Sequence, residues 1–583
     1  MPIPSPASLG TVETAEALAP TALLPECDGT SPVPASPGVP AVARLLPSLT
    51  DVAFLLPVFF MFLALSGARG LLGDGDTGWH IRTGEWILSH HRVPWADMFS
   101  FTRTGAPWFA WEWLWDVMFA LLFRSGGLAA VVAASTLVIC LTSVALFRLI
   151  RRKCDIGLVA IAVTLLATGG CAIHWLARPH LFTILFFTLT LHITDRAEAG
   201  RTKLLVWLVP LTLIWTNLHG GFFVIFLVLA CYIGSNLLNA LIERDPLARR
   251  GYLSRTGPWL ATFAACMAVT LVNPYGWQLH RHVIAYIADP YLLKHIAEFQ
   301  GLDFHSPASV FFEPLMIAAY AASFWAIRQR RFADALLSLG WMHLALIAQR
   351  NVPLFSIACA PLVAEAAIAA IRAARTAPLT ERIGKLAAWF QNASAGIEPT
   401  DRIPRVHLVS ALAFGLVTVL LFAPKPPNDR FVAAYDPKNF PEGALPVLAA
   451  GETHRIFAQD QWGDYLIYRL YPATKVFIDG RSDFYGSEFG EEYLRLLTVQ
   501  EGWNKTLDRY AIDTIVLAPK AALTTLLKVS RDWHVVYDDH YSIVFRRNAP
   551  APSSFASDGE GSGRDRVITK SNQSDRRITQ PGS

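Results

Sequence analysis

Charge is what this sequence is short of. Of its 583 residues only 16% are Asp, Glu, Lys or Arg, against about a quarter in an ordinary soluble domain. The net charge of +4 is spread over the whole length, and no basic patch interleaves with aromatics, so nucleic acid is not an expected partner. The seven cysteines show no CxxC spacing. Cys140, Cys154, Cys171, Cys231, Cys266 and Cys359 lie in or beside apolar runs and read as small buried hydrophobes. A Gly-rich phosphate loop and a dinucleotide fingerprint are both missing. Residues 1–48 are rich in Pro, Ala, Ser and Thr with no basic cluster before the first apolar run, so a secretory leader is not expected there. That segment and 548–583 are expected to be disordered tails.

What is present in excess is apolar surface: 53% of the residues are hydrophobic and 12% aromatic. They gather in runs at 52–71, 128–149, 157–173, 181–193, 204–215, 222–241, 259–272, 311–327, 333–348, 353–371 and 406–422. Several approach the roughly 20 residues needed to span a hydrocarbon core. The pattern predicts a polytopic α-helical membrane protein with about eleven crossings between residues 49 and 423. The run 108–123 carries Trp108, Trp111, Trp113 and Trp115 but also Glu112 and Asp116, and reads as an interfacial or partly inserted helix.

Basic clusters at Arg148/Arg151/Arg152/Lys153, Arg196/Arg201/Lys203, Arg244/Arg249/Arg250/Arg255 and Arg328/Arg330/Arg331 fall in every second connection. The positive-inside rule places them in the cytoplasm. The N-terminus is then cytoplasmic, and the loops 72–111 and 273–310 and everything after residue 422 face outward. Residues 424–547 alternate strand and helix signals and predict a small α/β domain on that outer side. Strands are expected near 453–458, 475–478, 514–517, 534–537 and 541–546, with helices over 462–470, 491–509 and 523–528.

The polar residues at the outer ends of the apolar runs are the candidates for chemistry, because a charge near lipid is costly unless it is paired or hydrated. Asp74 and Asp76, in LeuGlyAspGlyAspThrGlyTrpHis (72–80), are separated by a glycine, and a loop can turn both toward one cation. Asp76 or Thr77 can equally serve as the N-cap of a helix over 78–89. Glu112 needs a partner or a cavity. HisTrpLeuAlaArgProHis (174–180) and TrpThrAsnLeuHisGlyGly (215–221) bring Arg178, His180, Asn217 and His219 to helix ends. His282 lies in the long loop 273–310, which can act as a cover over a substrate or pack passively. Arg350 offers a permanently charged, planar group suited to phosphate or to a carboxylate. His80, His174, His180 and His219 lack any metal-ligand rhythm. AspGlyArg (479–481) follows a strand signal and reads as a clasp to the loops or, less directly, as a ligand contact.

In layout these residues resemble the membrane glycosyltransferases of the GT-C fold, which include protein mannosyltransferases, aminoarabinose transferases and oligosaccharyltransferases. The resemblance covers about 50–372: an acidic first outer loop (GlyAspThrGlyTrpHis, 75–80), the run ProTrpPheAlaTrpGluTrpLeu (107–114), and a long outer loop at 273–310. An adjacent AspGlu pair and a TrpTrpAspTyrGly signature are both missing. The resemblance implies an inverting transferase in a bacterial inner (plasma) membrane, with the C-terminal domain periplasmic. Its donor would be a polyprenyl-phosphate-linked sugar and its acceptor a lipid, glycan or protein. Asp76 would act as general base or acceptor-orienting group, with His80 and Glu112 beside it. Asp74, Arg178, His180, Asn217, His219, His282 and Arg350 would bind substrate, and a divalent ion such as Mg or Mn on Asp76 is optional. A lipid or polysaccharide transporter and a non-catalytic envelope assembly protein are the alternative readings; the second requires that Asp76 be replaceable by Asn.

Overall fold

All eleven apolar segments fold wholly or mostly as helix in the computed structural model, which describes residues 44–307, 309–376, 381–401, 403–450 and 455–548. The expected disordered tails lie outside the described residues, apart from 44–48 and 548. Among the described residues five helices are long and apolar enough to cross a membrane: Trp113–Lys153, Gly157–His174, Gly220–Ile242, Ser309–Arg328 and Gln349–Ala374. Leu49–Ala64, Thr202–Leu218, Phe332–Ile347 and Leu408–Phe422 are shorter apolar helices. The runs 181–193 and 259–272 lie in His180–Glu198 and Pro246–Val269. The result is a largely α-helical fold of polytopic membrane type.

The tryptophan-rich run is helical from Trp113 and continues to Lys153 through a break at Gly126 and Gly127. Its first part packs on a short helix, Asp76–His90, from the loop after the first apolar segment. Gly84 makes this approach possible, since a Cβ there would sit 2.0 Å from the Asp116 carbonyl oxygen. On its other side Asp76–His90 packs against helix Asp460–Leu470 of the C-terminal region.

That C-terminal region is a mixed four-stranded sheet with flanking helices. Its strands are β1 (Ile456–Ala458), β2 (Thr514–Leu517), β3 (Trp533–Asp538) and β4 (Ile543–Arg547), in the order β1-β2-β4-β3. β1 runs parallel to β2, and β4 is antiparallel to both of its neighbours. Of the expected strand 453–458, residues 453 and 454 lie outside the described residues. Residues 475–478 make single bridges instead of a strand, with Val476 pairing to Ser100 on one side and Ile456 on the other. The helix expected over 491–509 starts earlier and divides, into Ser482–Leu497 and Trp503–Arg509, at a turn where Gly502 has φ +86°. Gly463 lies inside helix Asp460–Leu470.

The loop 72–111 and the C-terminal domain share one core. Trp79, Phe99, Trp108 and Ala110 are buried together with Tyr435, Phe440, Trp462, Tyr465 and Val476. A buried clasp locks the joint. The Arg481 guanidinium donates to both carboxylate oxygens of Asp479, at 2.8 and 2.7 Å, and to Asp97 of the loop at 2.7 Å. It lies 4.5 Å from the Trp108 ring centroid and 4.9 Å from that of Phe484. Bidentate pairing plus stacking is geometry that arginine alone supplies.

The long loop 273–310 contains helices Trp277–Ala288 and Pro290–His295. It docks on the C-terminal domain through Ser487 to Asp289 (2.8 Å), His282 to Asp483 (2.8 Å), and His295 to Glu491 (3.2 Å). A helix with no apolar run to announce it, Glu381–Asp401, underlies the opposite end of the bundle, where Glu398 pairs with Arg151 at 2.8 Å.

Candidate active site

Two acidic clusters meet where Asp76–His90, the start of Trp113–Lys153 and the turns at 174–180 and 219–221 converge. The first is built on Arg178. Its guanidinium donates to Asp74 Oδ2 at 2.9 Å and to Glu298 Oε1 at 2.9 Å, and pairs with Asp76 Oδ2 at 2.6 Å. The glycine between the two aspartates thus lets both carboxylates turn toward one cation, and that cation is an arginine. Neither Asp76 nor Thr77 caps the helix. Asp76 is its first residue, its N–H bonds Asp74 Oδ1 at 2.8 Å, and the Thr77 hydroxyl bonds the Ala177 carbonyl at 3.0 Å.

One guanidinium cannot neutralise three carboxylates. Burial, and the neighbouring charge of Asp76, push the Asp74 carboxyl up to about 7 against the pull of Arg178. Burial also tends to raise Glu298, but Arg178 and His174 hold it well below its ordinary value. Asp76 is 6% exposed, and its second oxygen, Oδ1, has no hydrogen-bond partner. The fully buried Asp464 of the C-terminal domain accepts the Gly480 N–H at 2.8 Å through Oδ1 and leaves Oδ2 unpartnered. A Cβ on Gly480 would lie 2.3 Å from Asp76 Oδ1 and 2.6 Å from Asp464 Oδ2, so the two orphaned oxygens flank the same glycine. Burial, then the charges of Asp76 and Asp479, push Asp464 well above the usual carboxylate range.

The second cluster is built on imidazoles. His80 Nδ1 is 2.6 Å from Asp116 Oδ1, and its Nε2 lies 3.4 Å from Glu112 Oε2. The other Glu112 oxygen, Oε1, is 3.4 Å from His219 Nε2. His219 Nδ1 accepts the Gly221 N–H at 3.0 Å and lies 2.7 Å from the Thr183 hydroxyl, which accepts the Trp215 indole N–H at 2.8 Å. Burial, then the charges of Arg178 and His219, lower His80 well below its ordinary value. Burial, then Arg350 and Arg178, lower His219 to about 3, so both rings are neutral. Burial pushes Glu112 up to about 8.

The remaining expected residues scatter around these clusters. Arg350 lies 4.6 Å from the Phe299 ring centroid, with a long 3.3 Å bond to the Tyr286 hydroxyl. Among the described residues no carboxylate lies within 4 Å of it. His180 Nε2 is 2.6 Å from the His174 carbonyl oxygen. Asn217 is spent on structure: its amide donates to the Leu213 and Val272 carbonyls and its oxygen accepts from Trp113 Nε1. His282 stacks on Phe109 and faces Asp483, at the contact with the C-terminal domain. Among the described residues no group of three or more His, Cys, Asp or Glu is arranged to hold a metal ion. Arg178 engages Asp74 Oδ2 and Asp76 Oδ2, so an ion on Asp76 would have to bind at Oδ1 or displace the guanidinium.

Three participants lay outside the expected set. Asp116 follows Glu112 by four residues, the spacing that puts two side chains on one helix face, and that was its signal. Glu298 and Asp464 carry no comparable mark.

No protein-family model and no curated protein matches the sequence. Among solved structures, the chain is similar to the oligosaccharyltransferase AglB of Archaeoglobus fulgidus in complex with an inhibitory peptide and a dolichol-phosphate. There the TM-score is 0.49 and the identity 11%, over 81% of this chain and 69% of that one. It is also similar to ArnT of Cupriavidus metallidurans in the apo state, with TM-score 0.46 and identity 13%, over 85% of this chain and 96% of that one. At these values the likeness is one of outline only.

Proposed function

We propose that the chain is an inverting membrane glycosyltransferase that uses a polyprenyl-phosphate-linked sugar at the outer face of a bacterial inner membrane. The domains under this reading are the tails 1–48 and 548–583, an eleven-crossing membrane domain at 49–423, and a periplasmic domain at 424–547. The segment at 108–123 stays on the outer side in this topology, because it packs with Asp76–His90, which in turn packs on the C-terminal domain.

One observation carries the reading: a buried carboxylate with a free oxygen, Asp76, and an arginine with no carboxylate partner within 4 Å among the described residues, Arg350, both lie within electrostatic range of Glu112. Displacement at a phosphate-linked anomeric carbon needs a group to orient or deprotonate the acceptor hydroxyl, and a cation for the departing phosphate. Asp76, fixed by Arg178, supplies the first and Arg350 the second. Arg178, Asp74 and His180 frame the donor. The chain's own side chains suffice for this scheme, and a lipid, glycan or protein hydroxyl can be the acceptor.

The test follows transfer from a radiolabelled lipid-linked donor in membranes containing wild type or Asp76→Asn at matched abundance. Loss of transfer by about 100-fold is expected from removing the group that orients the acceptor. Retained transfer overturns the role of Asp76.

A further inference from the structure

Glu112, Asp116, His80 and His219 form a continuous chain of titratable groups that the orientation of an acceptor by Asp76 leaves unused. We propose that this chain is a proton relay: Glu112 takes the proton of the acceptor hydroxyl, and His80 couples it to Asp116 as a positioning pair. The inference rests on the transferase reading for the source of the proton, and on geometry for the relay.

The tautomers follow from the partners. His219 Nδ1 accepts from Gly221 N–H, so in the neutral ring the proton is on Nε2, the nitrogen 3.4 Å from Glu112 Oε1. His80 is contacted by a carboxyl group on each side, Asp116 at Nδ1 and Glu112 at Nε2. Two arrangements with the same number of protons are therefore open to it. In one, His80 Nδ1–H donates to an ionised Asp116 and Nε2 accepts from protonated Glu112. In the other, protonated Asp116 donates to Nδ1, and Nε2–H donates to an ionised Glu112. Passing between them moves two protons along the chain and shifts the negative charge from Asp116 to Glu112. No proton is gained or lost.

Depth gives the relay its direction. The Asp116 and His80 side chains are 1% and 2% exposed, whereas those of Glu112 and His219 are 12% and 15% exposed. Asp116 Oδ2 is buried with no partner, which leaves its other oxygen, bonded to His80, as its outlet. Glu112 is the open end. When the acceptor oxygen attacks the anomeric carbon, the new C–O bond forms and the bond to the phosphate oxygen breaks with its electron pair. The hydroxyl proton passes to ionised Glu112. His219 Nε2 lies beside the other Glu112 oxygen, at 3.4 Å.

The groups facing Glu112 from the surrounding elements are Arg178 and Arg350, which favour its ionised form, and Asp76 and Asp483, which oppose it. His80 comes from the helix beside it, Asp116 from its own helix and His219 from the turn opposite. The two arginines set the charge; Glu112, His80 and Asp116 move the protons.

The test uses the purified full-length chain in detergent and has two arms. The first reads infrared difference spectra between pH 6 and pH 10, without substrate. A protonated-carboxyl band that titrates in this range is expected in wild type, absent in Glu112→Gln, and shifted in midpoint by about one pH unit or more in Asp116→Asn. A band unchanged in both variants overturns the relay. The second arm measures transfer against pH. Asp116→Asn is expected to lower kcat about 100-fold with little change in KM and to displace the pH profile, with part of the rate restored in Asp116→Glu. An unchanged profile in Asp116→Asn also overturns the relay. If the wild-type chain transfers no sugar at all, the transferase reading fails, and the infrared arm still decides whether the relay exists.

Discussion

The two ends of the helical bundle handle charge in opposite ways. At the end carrying the basic clusters, carboxylates and cations are matched. Arg152 and Lys153 share Asp195 at 2.9 and 2.7 Å, Arg331 holds Asp334 and Glu365 at 2.7 and 2.6 Å, and Arg151 holds Glu398 at 2.8 Å. At the other end one arginine faces three carboxylates, and Asp76, Asp116 and Asp464 each keep a buried oxygen without a partner. Matched pairs settle a structure, whereas unmatched buried carboxylates store protons or wait for a ligand. The comparison therefore separates scaffold from site using charge alone.

The strongest way to break the comparison is to remove the cation that Asp74, Asp76 and Glu298 share. Arg178→Gln leaves Asp74, Asp76 and Glu298 without their shared partner and is expected to cost about 3 kcal/mol. The measurement is thermal unfolding in detergent beside recovery of monodisperse protein. Gly480→Ala comes next. Its new Cβ collides with both Asp76 and Asp464, so the C-terminal domain loosens by about 2 kcal/mol, read as faster limited proteolysis between residues 424 and 455.

A third test sharpens the contrast through pH. Asp74 and Glu112 bind protons up to about pH 7 and 8 in the folded chain, while unfolded carboxyls release them near pH 4. The folded state thus holds more protons over the interval. Its extra stability is complete below about pH 4 and is lost as pH rises through 7 to 8. The Tm is expected to fall between pH 5 and 9, with a shallower slope in Glu112→Gln. The smallest effect belongs to the matched end. Arg152→Gln leaves Asp195 bound to Lys153 and is expected to cost about 1 kcal/mol or less, with transfer unchanged.

Much of this contrast is written in the sequence, though unevenly. Apolar runs bounded by basic clusters mark helices because the signal is local and long, and all eleven are helical. Helix Glu381–Asp401 carries no apolar run and escaped for that reason. Residues 475–478 carry a strand signal, but half of their pairing comes from Ser100, about 375 positions away in a different part of the chain. The site follows the same rule. Asp74 and Asp76 stand out because a glycine between two acids near a membrane is unusual. Their partner Arg178 lies about 100 residues further on, and pairing over such a distance leaves no local trace. Asp116 was visible beside Glu112 at helical spacing, but its bond to His80 depends on the close approach that Gly84 permits, and only the packing of two helices reveals it.

On the proposed topology the crowded acidic end and the C-terminal domain face outward together, while the matched end faces the cytoplasm. Single cysteines placed at Ser89→Cys, Glu488→Cys and Gly200→Cys, in a background with the native cysteines replaced, test it by labelling with a membrane-impermeant thiol reagent in intact spheroplasts. Labelling is expected at residues 89 and 488, and at residue 200 only after lysis. Labelling of residue 200 in intact spheroplasts, or protection of either residue 89 or residue 488, would contradict it.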